Sequence, residues 1–272
     1  MKSYYLQPLQ VTGFSLLILI LALVFIGPLI VTHSPSETDF SSKLKPPATE
    51  HLLGTDQFGR DVMARIIEGG KRSLGAVFLV TAGVMVISVF LGLAAAMLGG
   101  MTDHLITRTI DIILALPSLI FALAVVGVLG PGFWNLVFAM VISHWASSTR
   151  LVRSFVLASR NRPDILAARE AGLSDWRIVS GHLLPEVLSK LVVVMTLRLG
   201  DFIVSISGLS FLGLGVQPPD AEWGAMLSQS RLFFDSAPWL FIAPAIAILL
   251  TVIGANLVGE SLRDMVDPNV QL

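Results

Sequence analysis

Apolar runs and polar interruptions alternate along this chain with a long period. Six runs approach the length of about 20 mostly apolar residues that a helix needs to cross a bilayer. They cover 11–31, 74–100, 110–130, 133–148, 191–215 and 238–259, and the fourth is short. The pattern predicts an all-α polytopic membrane protein with six transmembrane helices. The first run exceeds a signal-peptide core and no small-x-small cleavage site follows promptly, so it reads as a retained span. Pro117 and Pro244 fall inside the third and sixth runs and are expected to kink them.

The polar material is concentrated between the fourth and fifth runs. Pro163 suits the first turn of a helix, with Asp164 favourable beside it at the positive end. Leu166, Ala167, Ala168 and Ala171 give a helical surface of mostly small residues, and Gly172 stands where a left-handed C-terminal cap belongs. Ser174 can cap a second helix with Asp175 in its first turn. That helix carries Trp176, Ile178, Val179, Leu183 and Leu184, and Pro185 is expected to disturb its backbone before the next span. The loop thus reads as a helix–Gly–helix elbow about forty residues long, and loops of that length in compact proteins are usually functional. It serves either as an amphipathic hairpin on lipid or, the favoured reading, as a docking surface for a cytoplasmic partner.

Loop charge sets the orientation. The 150–190 loop holds Arg150, Arg153, Arg160, Arg162, Arg169, Arg177 and Lys190, whereas 216–237 holds only Arg231. This predicts a cytoplasmic 150–190 loop and, with six spans, two cytoplasmic termini. The 32–73 segment is then extracytoplasmic despite Lys43, Lys45, Arg60, Arg65, Lys71 and Arg72. Its last part, "GTDQFGRDVMARIIEGG", is expected to lie as a short helix across the bundle mouth, and "QPPDAEWGAML" (217–227) to re-enter the membrane edge. The organisation expected is an N-terminal span with its extracytoplasmic segment (1–73), a core (74–260) and a cytoplasmic tail (261–272).

Composition agrees with the pattern. Charged residues make up 14% of the 272, against about 25% in soluble domains. With no cysteine there is no disulfide and no thiolate metal site. His33, His51, His104, His144 and His182 show no metal-ligand spacing, and neither a Walker A loop nor G-x-G-x-x-G occurs. No bound cofactor and no firm metal site are expected, and any ATP hydrolysis must come from another chain.

A few polar residues fall within the runs. Arg198 and Asp201 lie three apart on one helix face. Each charge alone costs about 2.5–3.5 kcal/mol at the bilayer centre, so they are expected to pair with each other or with polar groups of another helix. An internal ion pair is favoured over a lining of the translocation path. Asp111 is expected to be solvated at the cytoplasmic interface. Trp145 fits an interfacial belt, and His144 is a weak candidate for transient substrate contact. The set needed for an intramembrane protease or lipid transferase is missing, and no internal repeat supports an ion-coupled carrier.

Four stretches resemble a known family. "E-A-A, three residues, G, nine residues, I-x-L-P" marks the cytoplasmic loop of bacterial ABC-importer permeases, and Ala167, Ala168, Gly172, Leu184 and Pro185 fall in register with it. Leu166 replaces its glutamate and His182 its isoleucine; Glu170, four residues late, does not inherit the glutamate's role. "HLLGTDQFGRDV" (51–62), "GLSFLGLGVQPPDAEWGAML" (208–227) and "SLRDMVDPNVQL" (261–272) look like the C-type permeases of dipeptide, oligopeptide and nickel importers. The resemblance covers nearly the whole chain. It implies a type I ABC-importer permease fold with one extra N-terminal span, a second homologous permease, two ATPase subunits and an extracytoplasmic binding protein. The elbow would be the coupling helix seated in an ATPase groove. ATP-driven closure would rock the bundle outward, and hydrolysis would reverse it. The compact N-terminus, "SHWASSTRLVRS" and "RNRPDILAAR" look more like the nickel-type members. Nickel or a metal chelate is therefore the expected cargo, with a di- or oligopeptide as the alternative, in a bacterial inner membrane.

Overall fold

The computed structural model describes residues 8–31 and 33–266, all helix, turn and loop apart from one isolated bridge between Thr55 and Asp61. Ten α-helices occur among them: α1 Pro8–Phe25, α2 Val62–Leu98, α3 Gly100–Leu114, α4 Ser118–Leu129, α5 Phe133–Ser159, α6 Pro163–Glu170, α7 Asp175–Ile178, α8 Leu184–Phe211, α9 Trp223–Ser230 and α10 Trp239–Val266. Short 3-10 turns follow α1 and α9 and interrupt the 33–61 connector. Of the expected tail, 261–266 continues α10, and 267–272 lies outside the described residues.

The long helices pack where one presents glycine. A side chain at Gly92 of α2 would meet Val152 of α5 at 2.5 Å, and one at Gly13 of α1 would meet Leu257 of α10 at 2.5 Å. Small residues let helix backbones approach closely when the surroundings are as apolar as the side chains. Val80, Val84, Met140, Val152, Ile203 and Ile206 fill the resulting core. The outward faces carry Phe78, Val86, Phe90, Ile112 and Val128, each at least 70% exposed. These faces suit lipid or another apolar chain.

α2 and Trp239–Met265 are each long and apolar enough to cross a membrane. α3 and α4, bent by 89°, qualify as a third crossing if they act together. α5 and α8 are of comparable length, 27 and 28 residues.

Two sequence expectations change. The "VMARIIEGG" segment is not a helix lying across the bundle mouth: it forms the first turns of α2, capped by Asp61, whose carboxylate accepts from Ala64 N–H at 2.7 Å. The division at 73/74 therefore falls inside a helix. Pro117 does more than kink the third run. It takes an extended ψ of 131° at the start of α4, and the chain turns nearly a right angle there. The 217–227 segment yields α9, packed on α2, α8 and α10. Its Trp223 is fully buried and donates from Nε1 to Ile66 O at 2.9 Å.

The three arginines of the 33–73 segment are engaged inside this packing, whereas Lys43, Lys45 and Lys71 are exposed. Arg60 Nε donates to Asp56 at 2.6 Å, Arg65 Nη1 to Pro219 O at 3.2 Å, and Arg72 pairs with Asp220 at 3.0 Å. Their charge serves tertiary structure, so it carries little weight in a count of free loop cations.

Candidate functional site

The elbow is pinned from inside and open outside. Ile165, Ile178 and Leu183 are at most 1% exposed and insert into the core. Ala167, Gly172 and Pro185 are exposed, Ala168 and Leu184 are half-buried, and Leu166 and Trp176 stand 42% and 75% exposed. α6 ends as expected: Gly172 adopts φ +82°, and Leu173 N–H returns to Ala168 O at 3.1 Å. Ser174 occupies the cap position of α7 without making the side-chain cap bond.

Pro185 does not break the second arm. Residues Val179–Leu183 form a π-turn, in which Leu184 N–H reaches back to Val179 O, and Pro185 sits in the first turn of α8. Proline has no N–H to offer the carbonyl four residues earlier, and the wider turn just before it absorbs the mismatch. The arm therefore runs from α7 into α8 without a joint.

One residue that sequence reasoning missed closes the elbow. Glu186 accepts from Ser159 Oγ at 2.9 Å, Arg162 Nη1 at 2.7 Å and Lys190 Nζ at 2.7 Å. It joins the end of α5, the start of α6 and the shaft of α8; only the Lys190 partner, at i+4, was signalled by spacing. Arg162 also holds Asp164 at 2.6 Å and pulls its carboxyl down to about 2. A depressed carboxyl pKa stabilises at pH above the unfolded value and is lost as pH falls through the folded one, so this clamp is intact at neutral pH. Glu186→Ala is expected to raise tryptic cleavage at Arg160 and Arg169 several-fold in detergent, with Glu186→Gln intermediate. Unchanged cleavage would show that the elbow is held by its buried apolar residues alone.

A second polar group lies where α5 crosses α8. Arg198 donates to Ser147 Oγ at 2.9 Å and Ser148 Oγ at 3.1 Å. The favoured ion pair with Asp201 is absent: no contact within 4.0 Å joins them, because the guanidinium reaches across to α5. Asp201 is exposed, with no hydrogen-bond partner among the described residues. His144 donates from Nδ1 to Met140 O at 2.9 Å, which leaves Nε2 as the lone-pair nitrogen, and its ring meets Phe202 edge-on at 5.2 Å. Ser147 and Ser148 donate to His144 O at 3.2 and 3.4 Å. The structure thus brings His144 of α5 to the crossing with the α8 pair Arg198 and Asp201, some 50 residues downstream. Arg198→Ala is expected to couple with the Ser147→Ala/Ser148→Ala double change by about 0.5–3 kcal/mol. A double-mutant cycle on thermal stability measures this, and strict additivity would refute the contact. Asp111 is not merely solvated, since Arg150 donates to it at 2.6 Å; Arg153 similarly holds Asp103 at 2.5 Å.

Ser143 Oγ lies 3.1 Å from His144 Nδ1, but the hydroxyl donates to Ala139 O at 2.7 Å and Nδ1 donates to Met140 O, so the two are not set as nucleophile and base. Similarity to known proteins identifies the family. Residues 53–272 match the family described as "Binding-protein-dependent transport system inner membrane component", and residues 5–47 match "N-terminal TM domain of oligopeptide transport permease C". The chain is 40% identical to the dipeptide transport system permease protein of Alkalihalophilus pseudofirmus, over 99% of this chain and 89% of that one. It is 37% identical to the glutathione transport system permease protein of Pectobacterium atrosepticum, over 99% and 90%. It is also 37% identical to the nickel transport system permease protein of Escherichia coli, over 88% and 86%. The chain belongs to the binding-protein-dependent ABC permeases, as a C-type, non-catalytic membrane subunit whose ATPase is a separate chain.

Proposed function

We propose that this chain forms one half of the translocation path of an ATP-driven importer for short peptides. Asp201 carries the reading: it is an exposed carboxylate in a helix of membrane length, without a protein partner among the described residues. Lipid is a poor neighbour for it, at about 2.5–3.5 kcal/mol per charge, so that face belongs against water or a second permease. A short peptide carries an ammonium and a carboxylate, and Asp201 and Arg198 offer the complementary charges on adjacent turns. The relatives named for dipeptide and glutathione transport align over 99% of the chain, against 88% for the nickel relative.

In this reading the chain crosses the bacterial inner membrane six times, with α3–α4 as one crossing and both termini in the cytoplasm. It works with a homologous permease, two ATPases and an extracytoplasmic binding protein. The exposed face of the elbow, with Ala167, Ala168 and Gly172, seats in an ATPase groove, and Leu184 and Pro185 lead it into α8. Nickel or a metal chelate is the second reading, favoured by the lone-pair Nε2 of His144 beside this crossing.

Uptake of a labelled dipeptide and of labelled nickel by the reconstituted complex tests both. The expected result is dipeptide uptake that falls about tenfold in Asp201→Asn, the equivalent of 1.4 kcal/mol, with assembly intact. Nickel uptake without dipeptide uptake, lowered by His144→Ala, would replace the first reading by the second. Unchanged dipeptide flux in Asp201→Asn would remove Asp201 from the path.

A further inference from the structure

His33, just after the turn that ends the first helical segment, and His51, in the loop before α2, converge with Asp61, and the three offer ligand atoms within 4.8 Å of one another. No other such group of three occurs among the described residues. We propose that His33 and His51, oriented by Asp61, bind a divalent first-row transition ion of the Zn2+ type.

The hydrogen bonding fixes how each group is presented. Asp61 is buried and both its oxygens are engaged: Oδ1 accepts from Ala64 N–H at 2.7 Å, and Oδ2 lies 2.8 Å from His51 Nδ1. An ionised carboxylate only accepts, so Nδ1 carries the proton and Nε2 of the neutral ring carries the lone pair. This is the carboxylate–histidine arrangement that holds the ring and raises its basicity as a metal ligand. The rings of His33 and His51 have centroids 5.0 Å apart and planes tilted by 44°. Two imidazoles on one tetrahedral ion, with metal–nitrogen bonds of about 2.0–2.1 Å, have centroids about 5 Å apart. His33 is exposed and lines an open cleft with Pro28, Val31, Pro35, Glu68 and Lys71, so a hydrated ion can reach its ring, and His51 is half-buried beside it. Imidazole ligands suit borderline ions such as Zn2+, Co2+ and Ni2+, and disfavour Ca2+ and Mg2+. Water completes the coordination, which makes the site exchangeable.

An ion held there fastens the segment after α1 to the capped start of α2. The site lies far from the α5–α8 crossing in the chain and does not depend on what the permease carries. The test is a titration of Co2+, read from its visible ligand-field bands, with Zn2+ as competitor. It uses the full-length chain in its detergent-purified complex, carrying a tag without histidine. The wild type is expected to bind one Co2+ per chain, displaceable by Zn2+, and to gain thermal stability with Zn2+. His33→Ala, at an exposed position, should abolish both effects without lowering the metal-free thermal midpoint. Asp61→Asn should weaken binding by about 10–100-fold. Saturable binding that survives in both His33→Ala and His51→Ala, binding lost only in His144→Ala, or no binding by the wild type would each overturn the proposal.

Discussion

Ala167→Trp is expected to leave the thermal midpoint of the isolated chain unchanged while weakening its association with the partner ATPase about 10- to 100-fold. Ala167 is exposed on α6, and a side chain added there enlarges only the outer surface. The support beneath it, Ile165, Ile178 and Leu183, is untouched. In a packed groove the same volume costs about 1–3 kcal/mol, and each 1.4 kcal/mol is tenfold in affinity. Co-purification with the ATPase, together with transport-linked ATP hydrolysis, measures the effect. Normal binding and transport would assign the elbow to lipid instead, the other reading that its amphipathic pattern allows.

The largest stability loss is expected at Glu222, remote from the elbow. It is 1% exposed and accepts from Gly224 N–H at 3.0 Å, Ala225 N–H at 2.9 Å and Ser73 Oγ at 2.8 Å. Alanine would strand three buried donors, at about 1–3 kcal/mol each. At about 2–4 °C per kcal/mol for a chain of this size, Glu222→Ala should lower the thermal midpoint by roughly 10 °C. Glu222→Gln keeps one accepting oxygen and should be milder. A drop below about 2 °C for alanine, within the scatter of ordinary surface changes, would mean that the Trp223 anchor, not the cap, holds α9 in place.

What was legible in the sequence followed local rules. The apolar runs placed the long helices because a lipid- or core-facing helix is apolar along its length, and Gly172 announced a left-handed cap that the structure contains. Contacts between distant segments stayed hidden. Arg65, Glu68, Lys71 and Arg72 interrupt the apolar pattern of early α2, so its first turns read as a separate surface helix. The groups that receive Arg65 and Arg72 lie at 219–221, some 150 residues downstream. Spacing put Arg198 and Asp201 on one face but could not reveal that Ser147 and Ser148 would claim the guanidinium. His33 and His51 fit no linear spacing, since a loop, not a helix, brings them together.

The π-turn at Val179–Leu183 sets a phase. It places one more residue in a turn than an α-helix would, between the face that displays Trp176 and the face that displays Asp201. Deleting Gly181 would return the turn to ordinary α geometry with the two faces nearly in phase, whereas a deletion early in α8, where no turn is widened, would rotate one face against the other by about 100°. Leu184–Phe211 is helical throughout, so motion imposed on the elbow has no intervening joint in which to dissipate. A tilt of about 10° pivoting at Ile178 would swing Arg198 by about 5 Å and Phe211 by about 9 Å, at 1.5 Å of rise per residue. The direction of that swing at the α5–α8 crossing is fixed by the helical phase between the elbow and Arg198, so a single-residue deletion early in α8 would redirect the swing without weakening the lever.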